Sequence, residues 1–222
     1  MLLKYFIVSL CALSPAFVHA DDQIRVIGID RFANISSPGK ASAIVEKQAT
    51  AWFPNVKAEN PGCNRGEPTS WLNPKHPKIK SVQFRQISDT QSVEAAVLTT
   101  GETITVVNWG CESYAVSIRY TFGEAAPNLN EEFWFQKSAE ALKLVQGLEK
   151  KENGNPFDLG LDAKALTAQL EKINTEGVSF QNPVSVEGDG LGLQETSIEF
   201  MRVGQLPDKK GSFLEITLIK NL

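Results

Sequence analysis

The 222-residue chain is long enough for one substantial hydrophobic core and too short for several large domains. Acidic residues outnumber basic residues by 26 to 22, which gives a formal net charge of -4. Because nucleic acid and anionic membrane surfaces select proteins with an excess of lysine and arginine, we expect no nucleic-acid partner.

The first twenty residues have the three regions of a cleavable secretory signal peptide. Lys4 supplies the positive charge, residues 5–13 form an apolar stretch, and small residues lead to Ala20. The apolar stretch is too short to cross roughly 30 Å of hydrocarbon, so we expect no membrane anchor after cleavage. The sequence therefore predicts an exported protein of the periplasm or extracellular space, with residues 21–222 as one mature domain.

Only two of the three cysteines, Cys63 and Cys111, remain after removal of the predicted signal. Exported proteins meet an oxidising environment, so we predict that these two cysteines form a disulfide. Free thiols or a metal site are the alternatives. The sequence contains neither a Cys-x-x-Cys pair nor a His-Glu-x-x-His helix, and we expect no bound metal and no cofactor.

Hydrophobic periodicity and the positions of proline and glycine predict the secondary structure. The predicted elements, in chain order, are a strand at 23–30, an amphipathic helix at 38–53 with Ser37 as its N-cap, a proline-rich irregular segment at 54–80, strands at 81–87, 93–99, 103–109 and 114–122, helices at 131–151 and 163–176, and strands at 178–180, 195–203 and 212–219. Asp162 is the predicted N-cap of the last helix.

These elements predict an α+β fold with an antiparallel sheet of five to eight strands, in one or two parts, and about three helices packed on one face. The strand at 114–122 has the clearest alternation. Its residues Ala115, Ser117, Arg119 and Thr121 share one face, which the pattern predicts to be solvated. A division of the mature domain near 123–130 is the alternative to a single unit.

Catalytic motifs are scarce in the mature sequence. His76 is the only histidine that remains after cleavage, and its proline-flanked, basic surroundings predict a solvated loop. No Gly-x-Ser-x-Gly motif marks a serine nucleophile. A pair of carboxylates from distant positions stays open as a catalytic arrangement because it requires no local motif.

The segment 108–114 carries the candidate binding residues. It places Trp109, Glu112 and Tyr114 at the tip of a predicted hairpin, and the predicted disulfide joins that tip to the segment that carries Arg65 and Trp71. Tryptophan, tyrosine and arginine are the residue types that anchor protein interfaces. The alternative is that Trp109 and Tyr114 continue their strands into the core while the disulfide only holds a loop.

The sequence therefore favours an exported, non-catalytic binding protein, for example an inhibitor or immunity protein directed at a toxin or hydrolase. The partner expected for it is another protein of the envelope or extracellular space. Two other classes stay open. One is an exported, carboxylate-dependent hydrolase of a cell-wall glycan, and the other is an envelope assembly or structural factor that docks through an exposed sheet edge.

Overall fold

The computed structural model describes residues 40–54, 63, 66–111, 113–123, 131–150, 156–176, 184–186, 196–205 and 211–221. The predicted signal peptide and the predicted strands at 23–30 and 178–180 lie outside the described residues. The described elements are α1 (Ala41–Trp52), β1 (Ile79–Gln86), β2 (Ser92–Leu98), β3 (Thr103–Trp109), β4 (Ser113–Phe122), α2 (Glu131–Leu148), α3 (Leu159–Glu176), β5 (Val184–Val186), β6 (Thr196–Gln205) and β7 (Ser212–Asn221).

All seven described strands belong to one antiparallel sheet in the order β1-β2-β3-β4-β7-β6-β5. The first four strands follow one another as hairpins. β7 then pairs with β4 along its whole length, from Ser113 opposite Asn221 to Phe122 opposite Ser212. The predicted α+β fold with an antiparallel sheet and three helices is confirmed, and the strands form one sheet rather than two.

The three helices do not share a face of the sheet, and this part of the prediction is wrong. α1 packs on the face that carries Val93, Ala95 and Val97. α2 and α3 pack with the opposite face, whose core includes Ala96 and Leu98. Because β2 and β3 are buried along their whole length, their apolar side chains need cover on both sides of the sheet.

The face of β4 that was predicted to be solvated is also buried. Ser117 is 1% exposed, Arg119 is 3% exposed and Thr121 is 7% exposed, all on the α1 side of the sheet. Alternation in a single strand identifies which residues share a face but does not report what covers that face. The prediction failed because the polar side chains there bind one another within the fold.

The α1 helix carries one polar side chain on its buried stripe, which otherwise consists of apolar residues such as Ile44, Val45 and Trp52. Gln48 is only 1% exposed. Within the described part of the chain, neither its Nε2 nor its Oε1 has a hydrogen-bond partner. A buried amide without partners loses its hydration and regains nothing, so Gln48 should destabilise the fold.

We therefore predict that Gln48→Met stabilises the protein by about 1 kcal/mol, because methionine has nearly the same volume and no polar group to desolvate. For a chain of this size the midpoint of thermal unfolding should rise by roughly 2–4 °C. Gln136→Met is the matched control, since Gln136 is exposed on α2. Equal midpoints for Gln48→Met and the wild type would show that the amide is hydrated or bound.

Candidate functional site

The predicted disulfide joins Cys63 to Cys111, with an S–S distance of 2.06 Å and a Cα–Cα distance of 4.9 Å. Cys111 lies in the turn between β3 and β4. The pairing of Ser92 with Asn108 places the β1–β2 turn beside it, so both turns are at one end of the sheet. We refer to this bridge and these two turns as the disulfide end.

The turn that carries Cys111 depends on a glycine. Gly110 has a φ of 97°, a left-handed conformation that side chains disfavour, and a Cβ at this position would overlap the carbonyl oxygen of Ser113. The glycine thus allows β3 to reverse sharply into β4. This reversal sets Cys111 where Cys63 can reach it.

A buried carboxylate on β2 holds the proline-rich segment against the sheet. Glu94, 1% exposed, accepts hydrogen bonds from Ser70 Oγ at 2.6 Å, from the backbone N of Trp71 at 2.7 Å and from the backbone N of Leu72 at 3.3 Å. Lys150 Nζ donates to Ser70 Oγ at 2.9 Å. Burial raises the pKa of the Glu94 carboxyl above its usual range, and the hydrogen bonds and the Lys150 charge partly oppose that rise.

The same segment is also bonded to the end of α2. Lys150 N donates to Trp71 O at 2.8 Å, and Asn73 N donates to Leu148 O at 2.8 Å. Leu72 forms an isolated antiparallel bridge with Glu149. The chain is therefore fixed at Cys63 by the disulfide and again at 70–73 by the Glu94 carboxylate and these backbone bonds.

Three of the five predicted binding residues lie among the described residues, and they do not form one surface. Trp109 is on the α1 side of the sheet and 5% exposed, and Trp71 is on the other side and 2% exposed. Tyr114 is half-buried and packs against the same core as Trp71. Arg65 and Glu112 lie outside the described residues. The two tryptophans therefore have packing roles, and a role of the five residues in binding stays a prediction.

Trp109 connects α1 to the row of buried polar side chains on β4, the face that the alternation predicted to be solvated. Its ring centroid is 6.4 Å from that of Trp52, and its Nε1 donates to Ser117 Oγ at 3.0 Å. Ser117 Oγ and Thr217 Oγ1 are 2.7 Å apart across the β4–β7 pair. The indole is thus held by both packing and a hydrogen bond.

Two positions further along the β4–β7 pair, on the same face of the sheet, the paired residues carry opposite charges. Arg119 lies directly across from Glu215, with 3.9 Å between Nη1 and Oε2, and both side chains are buried. The Arg119 guanidinium also lies over the ring of Phe213, 4.6 Å from its centroid. Removing one partner of such a pair leaves the other charge buried without compensation, so the pair constrains the β4–β7 register.

A second buried carboxyl lies in the first turn of α3, where the sequence predicted a helix cap. The cap is Asp158, whose Oδ1 accepts the backbone N–H of Leu161 at 3.0 Å. Asp162 is inside the helix, 1% exposed, and its Oδ2 has no hydrogen-bond partner among the described residues. Burial, and then the neighbouring Asp158, raise the pKa of Asp162 to about 7, which Lys220 partly opposes.

Trp109→Ala should destabilise the protein by about 3–5 kcal/mol, because it removes a buried ring and leaves the Ser117 hydroxyl without its donor. Guanidinium unfolding would measure the loss. Tyr114→Ala is the comparison, with a smaller expected loss because Tyr114 is half-exposed. A Trp109→Ala variant as stable as the wild type would return the ring to the list of binding candidates.

Glu94→Ala should cost about 2–4 kcal/mol, because the buried N–H groups of Trp71 and Leu72 lose their acceptor. Glu94→Gln keeps one acceptor oxygen and should cost less. Hydrogen exchange at these two amides should accelerate together with the fall in stability. Glu102→Ala, in the turn at the opposite end of the sheet, is the control, and equal losses for Glu94→Ala and Glu102→Ala would contradict the role given to Glu94.

The described residues contain no group of three or more histidine, cysteine, aspartate or glutamate side chains that could hold a metal ion. Among the described helices, none is both long enough and apolar enough to span a membrane. No protein-family model, no curated protein and no solved structure matches this chain.

Proposed function

We propose that this chain is an exported, non-catalytic binding protein that captures another protein through the disulfide end and the segment attached to it. The observation that supports the proposal most is the attachment of the proline-rich segment at two points. The disulfide holds it at Cys63, and the Glu94 carboxylate holds it at Ser70, Trp71 and Leu72. Between these points Gly66, Glu67 and Thr69 are exposed.

Two attachments matter because binding is opposed by the entropy lost when a loop becomes ordered. Each immobilised side chain costs roughly 0.5–1.5 kcal/mol, and a loop that is already fixed avoids part of that cost. The Glu94 carboxylate binds the Ser70 hydroxyl and the main-chain N–H groups of Trp71 and Leu72, and the exposed residues Glu67 and Thr69 lie outside these contacts with Glu94.

An inhibitor or immunity protein is the form of binding protein that best suits this arrangement. Such proteins present preformed loops whose backbone moves little on association. The disulfide is compatible with an exported protein, since disulfides persist in oxidising compartments. Export, a protein partner and the inhibitory role belong to the proposal.

The hydrolase alternative receives less support from the geometry. Asp162 has the raised pKa that a general acid needs, and Asp158 is a second carboxyl nearby. However, Asp162 is 1% exposed, so a glycan cannot reach it in this conformation.

The assembly-factor alternative requires an edge strand that can accept another strand. β1 is such an edge, since among the described strands it pairs with β2 alone. It has a register shift between Ile79 and Ser81, and both Lys80 and Arg85 are exposed. Bulges and edge charges are the features by which proteins block strand addition, so we favour the disulfide end.

The proposal predicts that Glu67→Lys weakens partner binding at least tenfold without changing the thermal midpoint, because Glu67 is exposed on the fixed segment. The removal of the bridge in a Cys63→Ser/Cys111→Ser variant should weaken binding as well, because the segment loses one attachment. The measurement is capture by immobilised mature protein from envelope extracts, followed by calorimetric titration of the purified partner with each variant.

Glu102→Lys is the matched control, with the same charge reversal in the turn between β2 and β3, at the opposite end of the sheet. Its affinity should equal that of the wild type. The proposal fails if Glu67→Lys and Glu102→Lys bind the partner equally well, or if the wild-type protein retains no partner in stoichiometric amount.

A further inference from the structure

Asp162 lies where three parts of the fold meet, which are the chain between α2 and α3, the first turn of α3 and the end of β7. Its backbone N donates to Asp158 O at 2.9 Å. On β7, Lys220 Nζ donates to Pro156 O at 3.0 Å and so ties the start of this segment to the sheet. The carboxyl oxygen Oδ2 of Asp162 stays without a partner among the described residues.

We propose that residues 156–162 form a proton-operated clamp, closed on β7 and α2 while the Asp162 carboxyl holds a proton and loosened when that proton is lost. In the closed state Oδ2 has no hydrogen-bond donor among the described residues, and a buried anion loses more hydration than a buried neutral carboxyl. Loosening gives the anion access to water. The device does not depend on partner binding, so it stands apart from the proposed function.

The charged groups that act on Asp162 come from two elements. Asp158, the cap of the same helix, repels the anion, and Lys220 of β7 attracts it. α2 presents the neutral amide of Gln146, whose Nε2 lies 2.7 Å from where a Cβ on Gly160 would be. β5, which also contacts α3, consists of the uncharged sequence Val-Ser-Val. Among the described residues, Lys220 is the cation that opposes the effect of burial on Asp162.

The direction of the pH dependence follows from proton binding. The folded state holds the Asp162 proton up to a pKa of about 7, whereas the opened segment releases it near the ordinary value of 3.8. Between about pH 4 and pH 7 the opened state thus binds fewer protons, and each pH unit favours opening by up to a factor of about ten. Below this window the closed state is most favoured, and both below and above the window the opening equilibrium no longer changes with pH.

Opening of the clamp would affect the packing of the proline-rich segment through the contact between two aromatic rings. Phe157 lies inside the clamp, and its ring centroid is 6.4 Å from that of Trp71. Trp71 is also one of the residues held by the Glu94 carboxylate. A change at the first turn of α3 therefore acts on the same chain that the disulfide and Glu94 hold in place.

The test is hydrogen exchange of the mature protein between pH 4.5 and pH 8, with correction for the intrinsic exchange rates. Protection of the α3 amides at 161–166 should fall by about 50-fold from pH 5 to pH 7, while β3 amides show no comparable change. Asp162→Asn, a neutral isostere of the protonated acid, should keep α3 protected across the range. A wild type without pH dependence at α3, or the same dependence in Asp162→Asn, would overturn the proposal.

Direct titration of the Asp162 carboxyl by carbon NMR in the wild-type protein keeps the proposal testable if the variant fails to fold. A midpoint above about 6 supports the clamp, and a midpoint below about 5 overturns it. Lys220→Met should move the midpoint upward because the anion loses its cation. Asp158→Asn should move it downward, since asparagine still caps the helix without the negative charge.

Discussion

The pairing of β4 with β7 is the interaction on which the rest of the structure depends. It joins residues 113–122 to residues 212–221, about a hundred positions later, and makes one seven-stranded sheet from two hairpin systems. The same register brings Ser117 to Thr217 and Arg119 to Glu215. A slip of one residue would move the charged pair to the apolar face that packs against α2 and α3 and would separate Arg119 from Glu215, so the charged pair favours the observed register.

Burial on both faces is the second constraint, and it follows from the first. In a sheet with helices on each side, the central strands have no solvated face, and every polar side chain on them needs a partner inside the protein. Glu94 finds its partners in the proline-rich segment, and Ser117 finds them in Trp109 and Thr217. Gln48 and Asp162 lack a full set of hydrogen-bond partners among the described residues. The consequence for Gln48 concerns stability, and the consequence for Asp162 concerns pH dependence.

The candidate site could be predicted from the sequence only in part. The disulfide followed from counting cysteines, since two partners allow a single pairing. The residues that hold the proline-rich segment could not be predicted in this way. Glu94 looks like an ordinary polar position in an apolar strand, and the sequence does not show which backbone N–H groups its carboxylate binds. Asp162 was predicted as the helix cap, but Asp158 is the cap and Asp162 is buried inside the helix. Either aspartate precedes an apolar periodic stretch, so the sequence does not distinguish the two positions.

The sequence by itself determined the element types, the antiparallel α+β class and the disulfide, because periodicity, turn residues and cysteine number are local properties. The tertiary structure alone decided that β4 and β7 are neighbours, that α1 and the other two helices cover opposite faces, and that Trp109 and Trp71 are core residues. Those features depend on contacts between distant parts of the chain, and their energies arise from burial and hydrogen bonding that no single segment contains. The polar face of β4 illustrates the difference, since its composition is local and its burial is not.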